Sequence, residues 1–242
     1  MKNPASSLLL ILACAVSARL AAQGAGAPAP TGAETGGYWA AGVSGVHSSG
    51  SGAGLGQADT LMAFVEAGWD FSPRLEGYLE FGGIDSRGRI DGATARSGVT
   101  PLLGAGLRAL PWRRGDYSVI LDAGVTGYGD FERRSTERAG PVVVTVTETQ
   151  RHPRDAGLLA LIQRQKEPWA FFAGPLFYAY RAEVVTVTAG TLATRTTRET
   201  LSTTDAGALA GVRRAFGAGW EITLQAGYRG GGFFGAGIQY VH

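Results

Sequence analysis

Cysteine, lysine and histidine are scarce in this chain of 242 residues, and these scarcities exclude several classes of protein. Cys14 is the only cysteine, which excludes an internal disulfide and a thiol-ligated metal site. No HExxH, GxSxG or GK[ST] motif is present. After the first twenty residues no apolar run reaches the ~18 residues that a membrane-spanning helix needs. We therefore expect no metal, no cofactor and no helical membrane span in the mature chain.

A targeting segment opens the chain. Lys2 places a positive charge near the N-terminus, residues 8–16 form a short apolar core, and small residues precede the possible cleavage sites at Ala18 and Ala22. This order is typical of a secretory signal peptide, so we predict that residues up to Ala18 or Ala22 are removed. The four residues that end at Cys14 also loosely resemble a lipoprotein cleavage box; otherwise Cys14 is simply part of the apolar core.

The charges balance once the predicted signal peptide, residues 1–22, is removed. Cleavage after Ala22 leaves 20 basic and 20 acidic residues. This balance provides no basic surface for nucleic acid, which we exclude as a partner. Residues 23–35 are rich in glycine, alanine and proline without periodicity, and they predict a flexible lead-in. Residues 36–242 remain as one folded domain.

Alternation of side-chain types dominates that domain. In residues 61–71 one face carries small or apolar side chains from Leu61 to Phe71, whereas the other face includes Glu66 and Asp70. Alternation with period two is typical of a β-strand with one apolar face. The same pattern recurs in residues 75–83, 99–110, 116–128 and 220–229.

Ten segments predict a sheet that closes on itself. The predicted strands are 37–47, 61–71, 75–83, 99–110, 116–128, 156–165, 169–181, 205–215, 220–229 and 233–242. Short turns such as 72–74 alternate with long links, which are 48–60, 84–98, 129–155 and 182–204. Short turns at one end and long loops at the other are typical of outer-membrane barrels. We therefore predict an all-β fold: a closed antiparallel up-and-down transmembrane β-barrel of about ten strands. Counts of eight or twelve stay open, because 142–149 and 182–188 could be counted differently.

The tryptophans form a second pattern. All of them fall at the end of the predicted barrel that carries the short turns, and they are Trp39, Trp69, Trp112, Trp169 and Trp220. An indole is most stable at a membrane interface, with its ring in hydrocarbon and its N–H in the headgroup layer. We therefore interpret these residues as membrane-interface anchors on one rim.

The last predicted strand carries a further signal. Phe234, Ile238, Tyr240 and His242 lie at alternate positions up to the end of the sequence. This segment resembles the C-terminal targeting strand of bacterial outer-membrane β-barrels, although that family usually ends in phenylalanine. The resemblance covers residues 36–242 and is to the small OmpA-type and porin-like barrels. It implies the outer membrane of a Gram-negative-type bacterium, with outer-membrane lipid, lipopolysaccharide and the barrel-assembly machinery as partners.

A soluble secreted barrel or sandwich is the alternative fold, in which the apolar face would form the core. Soluble surfaces and edge strands usually carry many lysines, whereas Lys166 is the only lysine after the signal peptide. The polar face combines glycine with charges of both signs, which suits a narrow lumen. A rim of tryptophans has no role in a soluble core. These features favour the membrane barrel.

Charged residues on the polar face are candidates for a site inside the barrel. They are Glu66, Glu76, Glu80, Arg108, Asp122, Arg213, Glu221 and Arg229. Side chains largely fill the interior of a barrel of this size, and charges buried there must be paired. We therefore predict a lumenal charge network that plugs the barrel, with a narrow or gated pore as the alternative.

The arginine-rich link 129–155 is a candidate for surface contacts. It contains Arg133, Arg134, Arg138, Arg151 and Arg154, but an equal number of carboxylates balances them. No strong polyanion patch is therefore predicted, although local arginine clusters could contact phosphates.

Catalysis is the remaining alternative, and few histidines are available for it. His47 precedes a serine-rich stretch and His152 lies near Asp155, so either histidine could act as the general base of a hydrolase at the outer rim. Solvated loop histidines are far commoner, and we predict no enzyme activity.

The Val–Thr alternation of 142–147 and 184–188 predicts strands that extend above the membrane. The sequence thus predicts a non-enzymatic outer-membrane barrel with a structural or surface-interaction role.

Overall fold

The computed structural model shows a chain built of β-strands. It describes residues 36–49, 57–90, 93–139, 142–190, 193–217, 219–228 and 232–241. The strands are β1 Gly37–Ser49, β2 Gln57–Ser72, β3 Leu75–Ile90, β4 Ala93–Arg114, β5 Tyr117–Tyr128, β6 Phe131–Ala139, β7 Val142–Lys166, β8 Trp169–Ala189, β9 Thr194–Ala215, β10 Trp220–Tyr228 and β11 Gly232–Val241. Within these ranges, no helix is long and apolar enough to cross a membrane. The predicted signal peptide and lead-in lie outside the described residues, as do Arg229 and His242.

The strands close into a barrel with ten strands in its wall. Pairing is antiparallel throughout, and β1 pairs with β11 from Tyr38 opposite Val241 to His47 opposite Gly232. β5 pairs with one half of β7, whereas β6 pairs with the other half. β6 therefore continues the position of β5 after a break at residues 129–130 and does not add a strand to the wall. The predicted closed up-and-down barrel of ten strands is confirmed.

The two ends of the barrel differ. The short-turn end carries tight connections at 73–74, 115–116 and 167–168, and Phe216 N donates to Trp220 O where β9 leads into β10. At the opposite end, which we call the long-strand end, β9 pairs with β8 up to Thr194 but with β10 only from Ala208 onwards. Strands β6 to β9 therefore rise beyond the wall as an extended sheet.

The prediction of long loops at the long-strand end is wrong for most of their residues. Most of 84–98, 129–155 and 182–204 is paired strand, and in the last of these links β8 and β9 form a hairpin whose described pairing ends at Ala189 opposite Thr194. Valine and threonine recur there, and both favour extended backbone. The prediction that 142–147 and 184–188 form strands is confirmed.

The outside of the wall is apolar. On β2 the side chains of Leu61, Val65 and Phe71 are more than half exposed, whereas Met62 and Phe64 are buried. The predicted alternation is confirmed, and its apolar face points outward. A soluble barrel would place this face in its core, so the alternative fold is wrong.

The inward face is more apolar than the sequence pattern predicted. Polar side chains concentrate in the half nearest the short-turn end, where Glu66, Glu76, Glu80, Arg108, Asp122, Gln163 and Arg213 are buried. The other half contains an apolar cluster that includes Met62, Phe64, Ile84, Leu102, Leu159, Leu176, Tyr178, Leu209 and Phe233. Buried side chains therefore occupy both halves of the lumen.

Candidate functional site

Arg108 is the centre of a buried charge network in the lumen. On β4 it lies directly between Glu76 of β3 and Asp122 of β5, and its side chain is fully buried. Its Nε donates to Asp122 Oδ2 at 2.9 Å, and Nη1 donates to Glu76 Oε1 at 2.5 Å. Nη2 donates to Glu66 Oε1 at 3.1 Å. One planar guanidinium thus joins carboxylates from three strands, which its fork of donors makes possible.

Two tyrosines complete this network, and sequence reasoning missed both. The hydroxyl of Tyr38 accepts from Arg108 Nη1 at 2.7 Å and lies 2.6 Å from Glu66 Oε1 and 2.8 Å from Glu76 Oε1. Tyr78 donates to Asp122 Oδ1 at 2.9 Å, and its ring centre lies 4.4 Å from Arg108 Cζ. The two rings therefore hold the charged groups in place by hydrogen bonds and by a cation–π contact.

Inward glycines make the space that the aromatic rings need. Directly paired across neighbouring strands are Gly42 and Phe64, Gly68 and Tyr38, Gly106 and Tyr78, Gly211 and Phe172, and Gly227 and Phe233. A Cβ atom added at any of these glycines would overlap the opposite side chain. Glycine opposite an aromatic residue is the signal that could have identified the tyrosines, but it is readable only when the register is known.

A second polar group lies closer to the short-turn end. Arg213 Nε lies 3.3 Å from Glu221 Oε2, and Arg213 Nη2 donates to Gln163 Oε1 at 3.3 Å. Gln239 Nε2 donates to the same Glu221 oxygen. Gln163, Arg213 and Glu221 border a cavity of about 430 Å³, which Arg113, Asp116 and Glu167 also line. This cavity is a vestibule at the short-turn end.

Most of the predicted lumenal residues fall into two separate groups in the structure. Glu66, Glu76, Arg108 and Asp122 form the central network, whereas Arg213 and Glu221 form the second group. Glu80 is buried directly opposite Glu66. Arg229 lies outside the described residues.

The residues considered for catalysis are not brought together. His152 is exposed, whereas Asp155 is buried and accepts a hydrogen bond from the Tyr128 hydroxyl at 2.5 Å. His47 lies in β1, and its side chain is outside the described part of the structure. The pairing of His152 with Asp155 therefore does not form in this arrangement.

The tryptophans lie together at the short-turn end. Four of them are exposed on the outside of the wall, namely Trp39, Trp69, Trp112 and Trp169. Trp220 is partly exposed and packs edge-on against Trp39, with ring centres 5.4 Å apart. Tyr240 joins this pair at 5.1 Å from Trp220. On the same strand as Tyr240, Phe234 and Ile238 also point outward.

Comparisons with known proteins establish the fold. No protein-family model matches the sequence, and no curated protein matches it. The structure is similar to the translocator domain of the autotransporter NalP from Neisseria meningitidis, with a TM-score of 0.52 and 14% sequence identity over 93% of each chain. It is also similar to the outer membrane protease OmpT from Escherichia coli, with a TM-score of 0.49 and 9% identity over 86% of this chain and 96% of that one. The first likeness shows the fold alone, which is a closed antiparallel β-barrel.

Proposed function

We propose that this protein is an integral outer-membrane β-barrel with a filled lumen and no enzymatic activity, and that it acts through its extended sheet. Its role is structural or in surface interaction, and the extended sheet favours surface interaction. The observation that carries the proposal is the exposed apolar outside of the wall, with Leu61, Val65 and Phe71 more than half exposed.

A membrane explains that surface. In water, the outward residues would form an apolar patch far larger than soluble monomers expose. In lipid, the same surface is favourable, and closure of the sheet pairs the backbone N–H and C=O groups within the wall. The exposed tryptophans at the short-turn end fit one interface of the bilayer.

The extended sheet supports a role outside the membrane. Residues 194–207 of β9 pair with β8 on one side, and no strand among the described residues pairs with their other side. Most of their side chains are exposed, and threonine is the commonest residue among them. An unpaired strand edge of this kind offers free backbone groups to a partner.

The filled lumen argues against the pore. Arg108, Glu66 and Glu76 are fully buried in one half of the lumen, and Phe64 and Leu176 in the other. We expect no conductance steps when the purified barrel is inserted into planar lipid bilayers. Regular steps of uniform size would favour the narrow-pore alternative.

The hydrolase alternative gains no support from the geometry. A general base needs an orienting partner within hydrogen-bond reach. Of the three candidate residues, His152 is exposed, Asp155 is buried against Tyr128, and the side chain of His47 lies outside the described part of the structure.

Cysteine labelling tests the location and orientation. Because Cys14 lies in the predicted signal peptide, Thr196→Cys and Asp116→Cys each introduce a single thiol, on the extended sheet and in a short turn respectively. A membrane-impermeant maleimide should label Thr196→Cys in intact cells, and Asp116→Cys only after the outer membrane is permeabilised. Equal labelling in intact cells, or a protein recovered in the soluble fraction, would contradict the proposal.

Shortening the extended sheet separates the two roles. Replacing residues 184–199 by Asn-Gly joins Glu183 to Thr200, which already lie opposite each other. The barrel should still be heat-modifiable, which means that it migrates differently on a detergent gel with and without boiling. A surface-interaction role predicts loss of cell adhesion with unchanged envelope permeability, whereas a purely structural role predicts unchanged adhesion.

A further inference from the structure

A β-bulge in β7 brings two arginines onto the outer surface at the base of the extended sheet. The register between β7 and β8 shifts between Arg151 and Arg154, where two residues of β7 oppose one of β8. In this bulge His152 has a φ of 51°, a left-handed conformation that non-glycine residues rarely adopt. Residues three apart in a regular strand face opposite sides, but here both arginines are exposed while Gln150 and Asp155 are buried.

A third arginine faces this pair. Arg181 lies directly opposite Arg154 and is also exposed. Like charges in directly opposite positions repel each other and destabilise a sheet. Glu183 lies opposite Arg151, but no ion pair joins Arg154 or Arg181 to a carboxylate among the described residues. An anion at this position would relieve the repulsion.

The arginines border a surface cavity that has room for such an anion. It measures about 370 Å³, and Arg151, His152, Arg154, Arg181, Glu183 and Thr200 line it. With three arginines and one carboxylate, its lining has a net positive charge. We refer to Arg151, Arg154 and Arg181 as the rim-arginine site.

The rim-arginine site lies where the apolar wall ends. Leu158 and Phe177 are exposed and directly opposite each other, and the pair of Arg154 and Arg181 follows four residue pairs further on. The twelve residue steps from Trp169 to Arg181 span about 40 Å along the strand. At the usual strand tilt this is about 30 Å along the membrane normal, compared with about 25 Å for the apolar band. The arginines therefore reach the headgroup layer opposite the tryptophan rim.

We propose that the rim-arginine site binds the phosphate groups of a phosphorylated glycolipid of the outer leaflet, of the lipid A type. Guanidinium groups donate paired, charge-assisted hydrogen bonds to phosphate oxygens. The acyl chains lie along Leu158 and Phe177 below, and Glu183 accepts a hydrogen bond from a sugar hydroxyl. This inference deepens the proposed function and rests on it, because the orientation of the barrel decides which leaflet the arginines face.

Lipid binding by the purified full-length mature protein in detergent tests the site. Affinities are measured for diphosphoryl lipid A, for chemically dephosphorylated lipid A and for inorganic phosphate. We expect dephosphorylation to weaken binding about tenfold or more, and the double variant Arg154→Gln/Arg181→Gln to weaken binding of the diphosphoryl form to a similar extent. The matched control Arg195→Gln/Arg198→Gln removes the same charge from exposed positions of β9 and should keep the wild-type affinity.

Three results would overturn the site: equal affinity for both lipids, unchanged affinity in the double variant, or binding of inorganic phosphate as tight as that of lipid A. Heat-modifiable migration confirms that each variant is folded, and Arg181→Gln alone replaces the double variant if that one does not fold. Maleimide labelling tests the proposed function separately. Correct labelling without arginine-dependent binding refutes the site alone, whereas arginine-dependent binding with wrong labelling refutes the orientation.

Discussion

Tyr38 on β1 and Gly68 on β2 lie directly opposite each other, and the ring of Tyr38 occupies the space that a side chain at Gly68 would need. From this position the Tyr38 hydroxyl reaches Arg108 and two carboxylates. A residue without a side chain thus determines whether the central network of the lumen can form.

Gly68→Ala should destabilise the barrel through this contact. The added methyl group overlaps the Tyr38 ring and displaces its hydroxyl from Arg108, and overpacking of this kind costs about 1–3 kcal/mol. The free energy of unfolding is measured by urea titration of protein folded in lipid vesicles, followed by tryptophan fluorescence. Gly127→Ala is the matched control, because a Cβ at that position meets nothing within 4 Å. Equal losses in both variants would show that the contact is unimportant.

Arg108→Ala should lower the free energy of unfolding more than Gly68→Ala does. It leaves the carboxylates of Glu66, Glu76 and Asp122 buried without their shared cation. Removal of one partner from a buried ion pair costs about 3–5 kcal/mol. Arg108→Lys should restore only part of the loss, since one ammonium cannot reproduce a planar fork that reaches three strands. The same urea titration measures both variants. A lysine variant as stable as the wild type contradicts the geometric role of the guanidinium.

Val65→Arg tests whether the outside of the wall contacts lipid. Val65 is half exposed near the middle of β2, and arginine near the bilayer midplane costs a barrel about 2–4 kcal/mol. We expect the free energy of unfolding, measured by urea titration in lipid vesicles, to fall by this amount. Thr196→Arg, on the exposed extension of β9, should leave the stability unchanged. An unchanged stability for Val65→Arg would indicate that this face contacts water.

The tryptophan rim predicts a depth-dependent fluorescence signal. With their indoles at one interface, the five tryptophans should be quenched more strongly by lipids brominated near the headgroup than by lipids brominated near the chain end. Trp39→Phe/Trp220→Phe removes the packed pair and should lower the intensity while keeping the depth preference. Stronger quenching at the chain end contradicts an interfacial rim.

Much of the fold could be predicted from the sequence, because alternation with period two determines which side chains share a face. The face from Leu61 to Phe71 was readable as one surface, and so was the grouping of the tryptophans at one end. The long-strand end was predicted less well. Its polar, threonine-rich segments such as 194–207 lack an apolar face, so alternation does not distinguish a paired strand from a loop there.

The sequence by itself determined the class of fold, the outward direction of the apolar face and the charged residues available to the lumen. The tertiary structure decided which of them meet. Arg108 reaches Glu66 across 42 positions of the chain and Tyr38 across 70. A bulge that exposes both Arg151 and Arg154 reverses the phase of β7, which no periodicity reveals. Both outcomes depend on register between strands, and register is determined by the closed sheet as a whole and not by any one segment.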